Sequence, residues 1–276
     1  MLFTKVLIPV DGSELGDRVL SLLDRFPHAR ELEVVLTRTI ERPGGAPPRP
    51  DRDDRDDDAF AHLYGLEERL RERGIRATHL VSAGDPAERI LEAIRAVRPS
   101  LVAMSTHGRG GASRALRGSV AEAVLERCPV PLLLGSPSSL PLAPGAGFAR
   151  ILVPLDGSDV SGRIIPFVAA LALHHGSAVV LLHVGDDTER ARQLLRPYRQ
   201  NLERAGVDPV EAEVAPGDPA AVILAEATRR GADLIALTSH SQTEGVAAWL
   251  GSVADRVGRE SPVPLLVVRV AQPAAR

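Results

Sequence analysis

The chain is written twice, and this repeat limits its folds more than any other feature. Phe3-Thr-Lys-Val-Leu-Ile-Pro-Val-Asp-Gly-Ser13 returns as Phe148-Ala-Arg-Ile-Leu-Val-Pro-Leu-Asp-Gly-Ser158, an offset of 145. Gly84-Asp85-Pro86-Ala87 returns as Gly217-Asp218-Pro219-Ala220 at an offset of 133. Gly118-Ser119-Val120 and Pro129-Val130-Pro131-Leu132-Leu133 return, also at 133, as Gly251-Ser252-Val253 and Pro262-Val263-Pro264-Leu265-Leu266. Matched landmarks in one order mean a duplicated plan. Each copy, near 130 residues, is long enough for its own core. The offset falls by 12 after the first landmark, so copy one carries extra residues there. They lie in segment 41–58, rich in Pro, Gly and Asp without hydrophobic periodicity, which reads as a mobile loop. Ser136 to Gly147 reads as a Pro/Gly/Ser linker. The expected division is a first domain over 1–136, a linker over 137–147 and a second domain over 148–276.

Within each copy, strands and helices alternate. Strands are predicted at 4–10, 32–39, 77–81, 100–104 and 130–134, and again at 149–155, 177–184, 210–214, 233–237 and 263–269. These short, β-branched or Leu-rich runs suit a parallel sheet buried on both faces. Helices are predicted at about 14–26, 59–73, 86–97 and 117–127, then at 159–175, 188–205, 219–230 and 250–260. Asp85-Pro86 and Asp218-Pro219 are helix starts, a capping acid before a proline at the first helical position. Gly74 and Gly206 are helix stops. The pattern predicts two tandem doubly wound, Rossmann-like α/β domains, each with a five-stranded parallel sheet.

Composition removes several functions. Lys5 is the only lysine, so no Walker-type phosphate loop exists, and a Schiff-base enzyme would have to use that residue. One cysteine, Cys128, excludes an internal disulfide and a Cys-cluster zinc site. It reads as a small buried hydrophobe. Aromatic residues are 3%, too few for a base-stacking platform, and the net charge of −3 favours no nucleic-acid partner. That charge is all held by segment 41–58, with seven acids and four arginines. No apolar run approaches the roughly 20 residues of a membrane span, and the first residues turn polar too soon for a signal peptide. A cytoplasmic setting is expected. His174-His175 close a helix, where a cationic histidine is favourable, and Trp249 reads as core or interface.

Ligands of such sheets bind beyond the carboxyl ends of the strands, where the strand order switches. After strand one, Asp11 ends the strand at this crevice, with Asp11 or Ser13 also a candidate cap for the next helix. After strand four comes Met104-Ser-Thr-His107-Gly-Arg109-Gly-Gly-Ala-Ser-Arg114-Ala-Leu-Arg117-Gly118-Ser119-Val120. Its glycines allow backbone to approach a ligand, and the following helix start offers free N–H groups to an anion. Arg109, Arg114 and Arg117 add positive charge suited to phosphate oxygens. The plainer reading is a surface loop, in which His107 is held by a backbone carbonyl.

These residues carry a resemblance. The chain resembles the universal stress protein family in its tandem two-domain form. That family's nucleotide signature, G-x2-G-x9-G-[ST], is met by Ser105-x2-Gly108-x9-Gly118-Ser119 except at its first glycine. The strand end at Asp11, the G-D-P-A turn and the Cys128-Pro129-Val130-Pro131 strand also resemble the family. The resemblance implies ATP, alone or with magnesium, as the cofactor. It implies that Asp11, Thr39 and Met104 flank adenine and ribose. Ser105, His107, Gly108, Arg109, Gly118, Ser119 and Val120 would surround the phosphates and ribose. Thr39 departs from the family's usual valine.

Copy two reads Thr238-x2-Ser241-x9-Gly251-Ser252, so both early glycines are missing. Between Ser241 and Ser252 there is one acid, Glu244, and no basic residue. Copy two is therefore expected to bind ATP weakly or not at all. No nucleophile-base pair or metal cage is visible, so at most slow hydrolysis is expected. The favoured function is an ATP-binding stress-response or signalling module whose occupancy acts on an unknown protein partner. The alternative is a structural or interaction protein that works without nucleotide. In the family the last strand pairs across a dimer axis. The resemblance thus implies that the strands ending at Leu134 and Val268 pair within one chain as an internal pseudo-dimer, with a homodimer of whole chains as a further expectation.

Overall fold

A computed structural model describes residues 3–26, 28–41, 54–106, 119–136, 139, 147–239 and 252–270. Copy one contributes β1 (Lys5–Pro9), α1 (Glu14–Asp17), β2 (Glu33–Ile40), α2 (Asp54–Glu72), β3 (Arg76–Ala83), α3 (Pro86–Val97), β4 (Leu101–Ser105), α4 (Ser119–Arg127) and β5 (Leu132–Gly135). Copy two contributes β6 (Arg150–Pro154), α5 (Ile165–His175), β7 (Ala178–Val184), α6 (Thr188–Arg204), β8 (Val210–Ala215), α7 (Pro219–Arg229), β9 (Leu234–Ser239), α8 (Ser252–Glu260) and β10 (Leu265–Arg269).

The strands form one sheet in the order β3-β2-β1-β4-β5-β10-β9-β6-β7-β8. Within each copy every pairing is parallel. The seam is antiparallel: Leu134 faces Leu265, Leu133 faces Leu266 and Leu132 faces Val267. An unpaired β5 or β10 would present an apolar edge with open N–H and C=O groups. Pairing the two edges removes both, and a self-complementary two-fold contact requires the antiparallel sense.

Side chains alternate across each strand, so the sheet feeds two cores. On one face Val6 and Ile8 of β1 join Leu63, Leu66 and Leu70 of α2, then continue through Phe148, Ile151 and Val168 into copy two. On the other face Leu7, Val102 and Met104 join α3 and α4, and the cluster continues through Leu265 and Val267 to α7 and α8. Both cores are therefore continuous across the two copies.

Both expected caps are present. Asp85 Oδ1 accepts the N–H of Glu88 at 2.9 Å, and Asp218 Oδ1 accepts that of Ala221 at 2.9 Å, each before a proline. Two expectations need correction. The stretch read as a loop over 41–58 turns helical at Asp54, so the last acids of the run belong to α2. Acids in a first turn face the positive end of the helix dipole. Arg38 of β2 also anchors this turn, donating to Asp58 Oδ2 at 2.7 Å and to the Asp58 carbonyl at 3.3 Å. Residues 42–53 of that segment lie outside the described residues. The helix expected over 14–26 is one short α turn followed by a 3-10 segment, Arg18–Arg25. Buried Val19, Leu22 and Leu23 have a spacing that serves both helix types, so periodicity alone does not separate them. Phe26, before Pro27, is extended, as a residue preceding proline prefers.

Candidate functional site

In copy one the strand order runs 3-2-1-4-5, so the switch lies between β1 and β4. Asp11 sits two residues past Pro9, the last residue of β1, at that switch. Its carboxylate is held by the turn it opens. Asp11 Oδ1 accepts the Ser13 N–H at 3.0 Å and the Ser13 hydroxyl at 2.7 Å. The Ser13 Oγ in turn accepts the Gly16 N–H at 2.9 Å and caps α1. Of the two candidate caps, Ser13 takes the role, and Asp11 orients it. Gly16 is required by this arrangement: a Cβ there would lie 2.3 Å from Asp11 Oδ1. That distance is far inside van der Waals contact, and the carboxylate is fixed by two bonds. The sequence reading missed Gly16; its signal is that the matched position in copy two is Ser161.

Thr39 lies at the same level. Pro9 pairs with Thr37, and Asp11 and Thr39 each lie two residues further along. Thr39 shares a hydrogen bond of 3.1 Å with Ser82, its cross-strand partner on β3. Ser82 thus fixes the Thr39 rotamer, and only the strand order reveals it. Met104 is buried in the core face it shares with Leu7 and Val35, and Ser105 ends β4 beside Gly135. The next residue, Thr106, is buried and extends the pairing, its N–H donating to the Gly135 carbonyl at 2.8 Å. Ser119 and Val120 open α4, where Val120 packs against the same core. The structure thus places Thr39 on β2, Met104 and Ser105 on β4, and Asp11 two residues past the intervening β1, all at one sheet end. His107, Gly108, Arg109 and Gly118 lie outside the described residues, as do Arg114, Arg117, Glu244 and Trp249.

The crevice of copy two begins alike. Asp156 Oδ1 accepts the Ser158 N–H at 2.8 Å, and Ser158 Oγ accepts the Ser161 N–H at 3.1 Å. It then diverges. Tyr198 of α6 reaches over the turn, its hydroxyl donating to the Ser158 carbonyl at 3.3 Å. The ring lies so close to Gly162 that a Cβ there would be 2.5 Å from it. Burial, with Asp159 and Asp156 nearby, raises the Tyr198 phenol above its ordinary value, so it stays a neutral donor. Val184 of β7 stands where copy one has Thr39.

Outside the crevices, Cys128 is buried, donates to the Val130 carbonyl at 3.3 Å, and has its thiol pushed up to about 11 by burial. It is a packing residue, as its sequence context implies. Among the described residues, no group of three or more His, Cys, Asp or Glu is arranged to hold a metal ion, and no helix is long and apolar enough to cross a membrane.

The model of the universal stress protein family matches this chain twice, over residues 2–134 and 147–269. The chain belongs to the universal stress protein family. Its relatives include the universal stress protein YxiE of Bacillus subtilis, 29% identical over 147 residues, covering 44% of this chain and 99% of that protein. A universal stress protein of Thermus aquaticus is 30% identical over 138 residues, 44% of this chain and 99% of its own length. The solved structure of a universal stress protein from Archaeoglobus fulgidus superposes with a TM-score of 0.74 at 26% identity, covering 96% of this chain and 98% of that one. Single-copy relatives thus match one repeat, and the archaeal structure matches the whole ten-strand plan.

Proposed function

We propose that copy one is an ATP-binding stress-response module and that copy two has kept the fold but lost the phosphate site. Asp11 is the ribose acceptor, held in one rotamer by Ser13 and Gly16, and this turn at the strand switch carries the reading. Thr39 and Met104 flank the adenine. Ser105, His107, Gly108, Arg109, Gly118, Ser119 and Val120 form the phosphate side, where loop amides, arginine and the α4 N-terminus meet an anion. Magnesium, where present, is held chiefly by the phosphates themselves, as that ion commonly is. In copy two, Ser161 replaces Gly16, Tyr198 covers the turn, and a glutamate replaces the arginines. The domains divide as 1–136 and 148–276, and occupancy of the first acts on a protein partner in the cytoplasm.

A second reading is a nucleotide-independent interaction protein. It is favoured by the seam, since the β5–β10 pairing joins the copies through apolar contacts that need no ligand. Calorimetric titration with ATP and magnesium separates the two. The proposal expects one site per chain. Absence of binding at millimolar ATP removes it and leaves the interaction reading.

A further inference from the structure

The two copies also meet away from the seam, around His175 at the end of α5. Its ring contacts Phe26 of copy one at 5.7 Å and Phe148 of copy two at 5.4 Å between centroids. Phe26 also meets Phe148 at 6.1 Å and Phe3 at 6.3 Å, both edge-on. The His28 ring of copy one lies tilted against that of His174 at 5.0 Å, and His174 lies 5.3 Å from His175. Chain-entry backbone completes the junction. Arg25 Nη1 donates to the Gly147 carbonyl at 3.2 Å, and the Phe148 N–H donates to His175 Nδ1 at 3.3 Å. A Cβ at Gly147 would lie 2.9 Å from that nitrogen, so the backbone passes tightly against the ring.

This geometry admits only a neutral imidazole. Nδ1 is used as an acceptor, so a proton there would face the Phe148 N–H donor to donor. Nε2 is buried with no partner among the described residues, so a cation would find no counter-charge there. Among the described residues the charged groups around it are Arg25, His28 and Glu31 on the copy-one side and His174 on its own helix. The acid among them, Glu31, is turned to His28 at 3.5 Å. We propose that His175 is an acid-sensitive latch between the copies, whose protonation opens the Phe26–Phe148–His175 junction while the β5–β10 seam holds.

Burial, then the charges of His174 and His28, lower the His175 ring from 6.5 to about 4. The same causes in the same sense, burial first and then His28, lower His174. A base whose folded value lies below its unfolded value is stabilising above the unfolded value. That stability is lost as pH falls from about 6.5 towards 4.

Proton NMR of the full chain reads the latch directly. The expected result is a His175 ring that titrates below pH 5. With it, protection of the Phe148 amide, corrected for intrinsic exchange, falls at least about tenfold between pH 7 and pH 5 as the junction opens. A His175 ring titrating near 6.5, or Phe148 protection unchanged across that range, overturns the proposal. His175→Phe keeps the ring packing without the ionisation. Because it also removes the acceptor of the Phe148 N–H, it is read by urea unfolding, where its stability should fall less than that of the wild type between pH 7 and pH 5, and an equal fall also overturns the proposal. If His175→Phe fails to fold, the wild-type titration and exchange decide alone.

Discussion

At Asp11 and at Asp156 the chain makes the same turn, a carboxylate accepting the N–H of a serine two residues on. Three residues beyond each serine the copies part. Gly16 leaves room for the Asp11 carboxylate, whereas Ser161 carries a side chain that bonds back to the Ser158 carbonyl at 2.9 Å, and Tyr198 closes over the turn. The difference shows what a duplicated fold must keep and what it is free to change. The turn shapes the end of a central strand and both copies retain it. Beyond the turn only copy two brings its own side chains, Ser161 and Tyr198, onto the Ser158 carbonyl.

The comparison breaks hardest at the seam, which the copies share equally. Leu133 and Leu266 face each other there and are both almost fully buried. Leu133→Asp and Leu266→Asp should each cost more than about 3 kcal/mol or prevent folding, because each buries an unpaired charge. Urea unfolding should show losses of similar size from either side. By contrast, Leu80→Asp on the outer strand β3, where the side chain is 42% exposed, should change stability by less than about 0.5 kcal/mol.

The crevices should respond unequally. Gly16→Ala displaces the Asp11 carboxylate and should weaken ATP binding roughly 10- to 100-fold, the value of one hydrogen bond to a charged group. Ser161→Gly in copy two should leave ATP affinity unchanged by calorimetry. With Gly118 on the phosphate side, as the resemblance implies, Gly118→Ala should weaken binding by about tenfold. The helix caps should again respond alike. Asp85→Ala and Asp218→Ala each remove one helix cap and should each cost about 1 kcal/mol in thermal or urea unfolding.

Much of the fold was readable from the residues. The alternation of short apolar runs located all ten strands, and Asp85-Pro86 and Asp218-Pro219 marked the starts of their helices to the residue. The β5–β10 pairing followed from resemblance together with the cost of an apolar edge, and its register is now explicit. Other features depend on partners distant in sequence. Asp58 is held in the start of its helix by Arg38 of β2, a partner 20 residues away in sequence. Gly16 and Ser82 act on Asp11 and Thr39 only through packing and hydrogen bonding, so neither matches a motif. From the sequence alone, His174-His175 is a pair at a helix end, where a cationic or dipole-facing histidine is favourable. The dipole there offers about 0.3–1 kcal/mol, less than one pKa unit, whereas burial and the neighbouring histidines lower His175 from 6.5 to about 4. The packing of two copies decides that balance, and packing is invisible in a string of residues.

The central claim is that one crevice of two reads nucleotide. It is tested most directly by native mass spectrometry of the full chain equilibrated with ATP and magnesium, with the nucleotide identified after denaturation. One ATP per chain, lost in Gly16→Ala and kept in Ser161→Gly, is the predicted result. Two ATP per chain, or none at millimolar nucleotide, would contradict it.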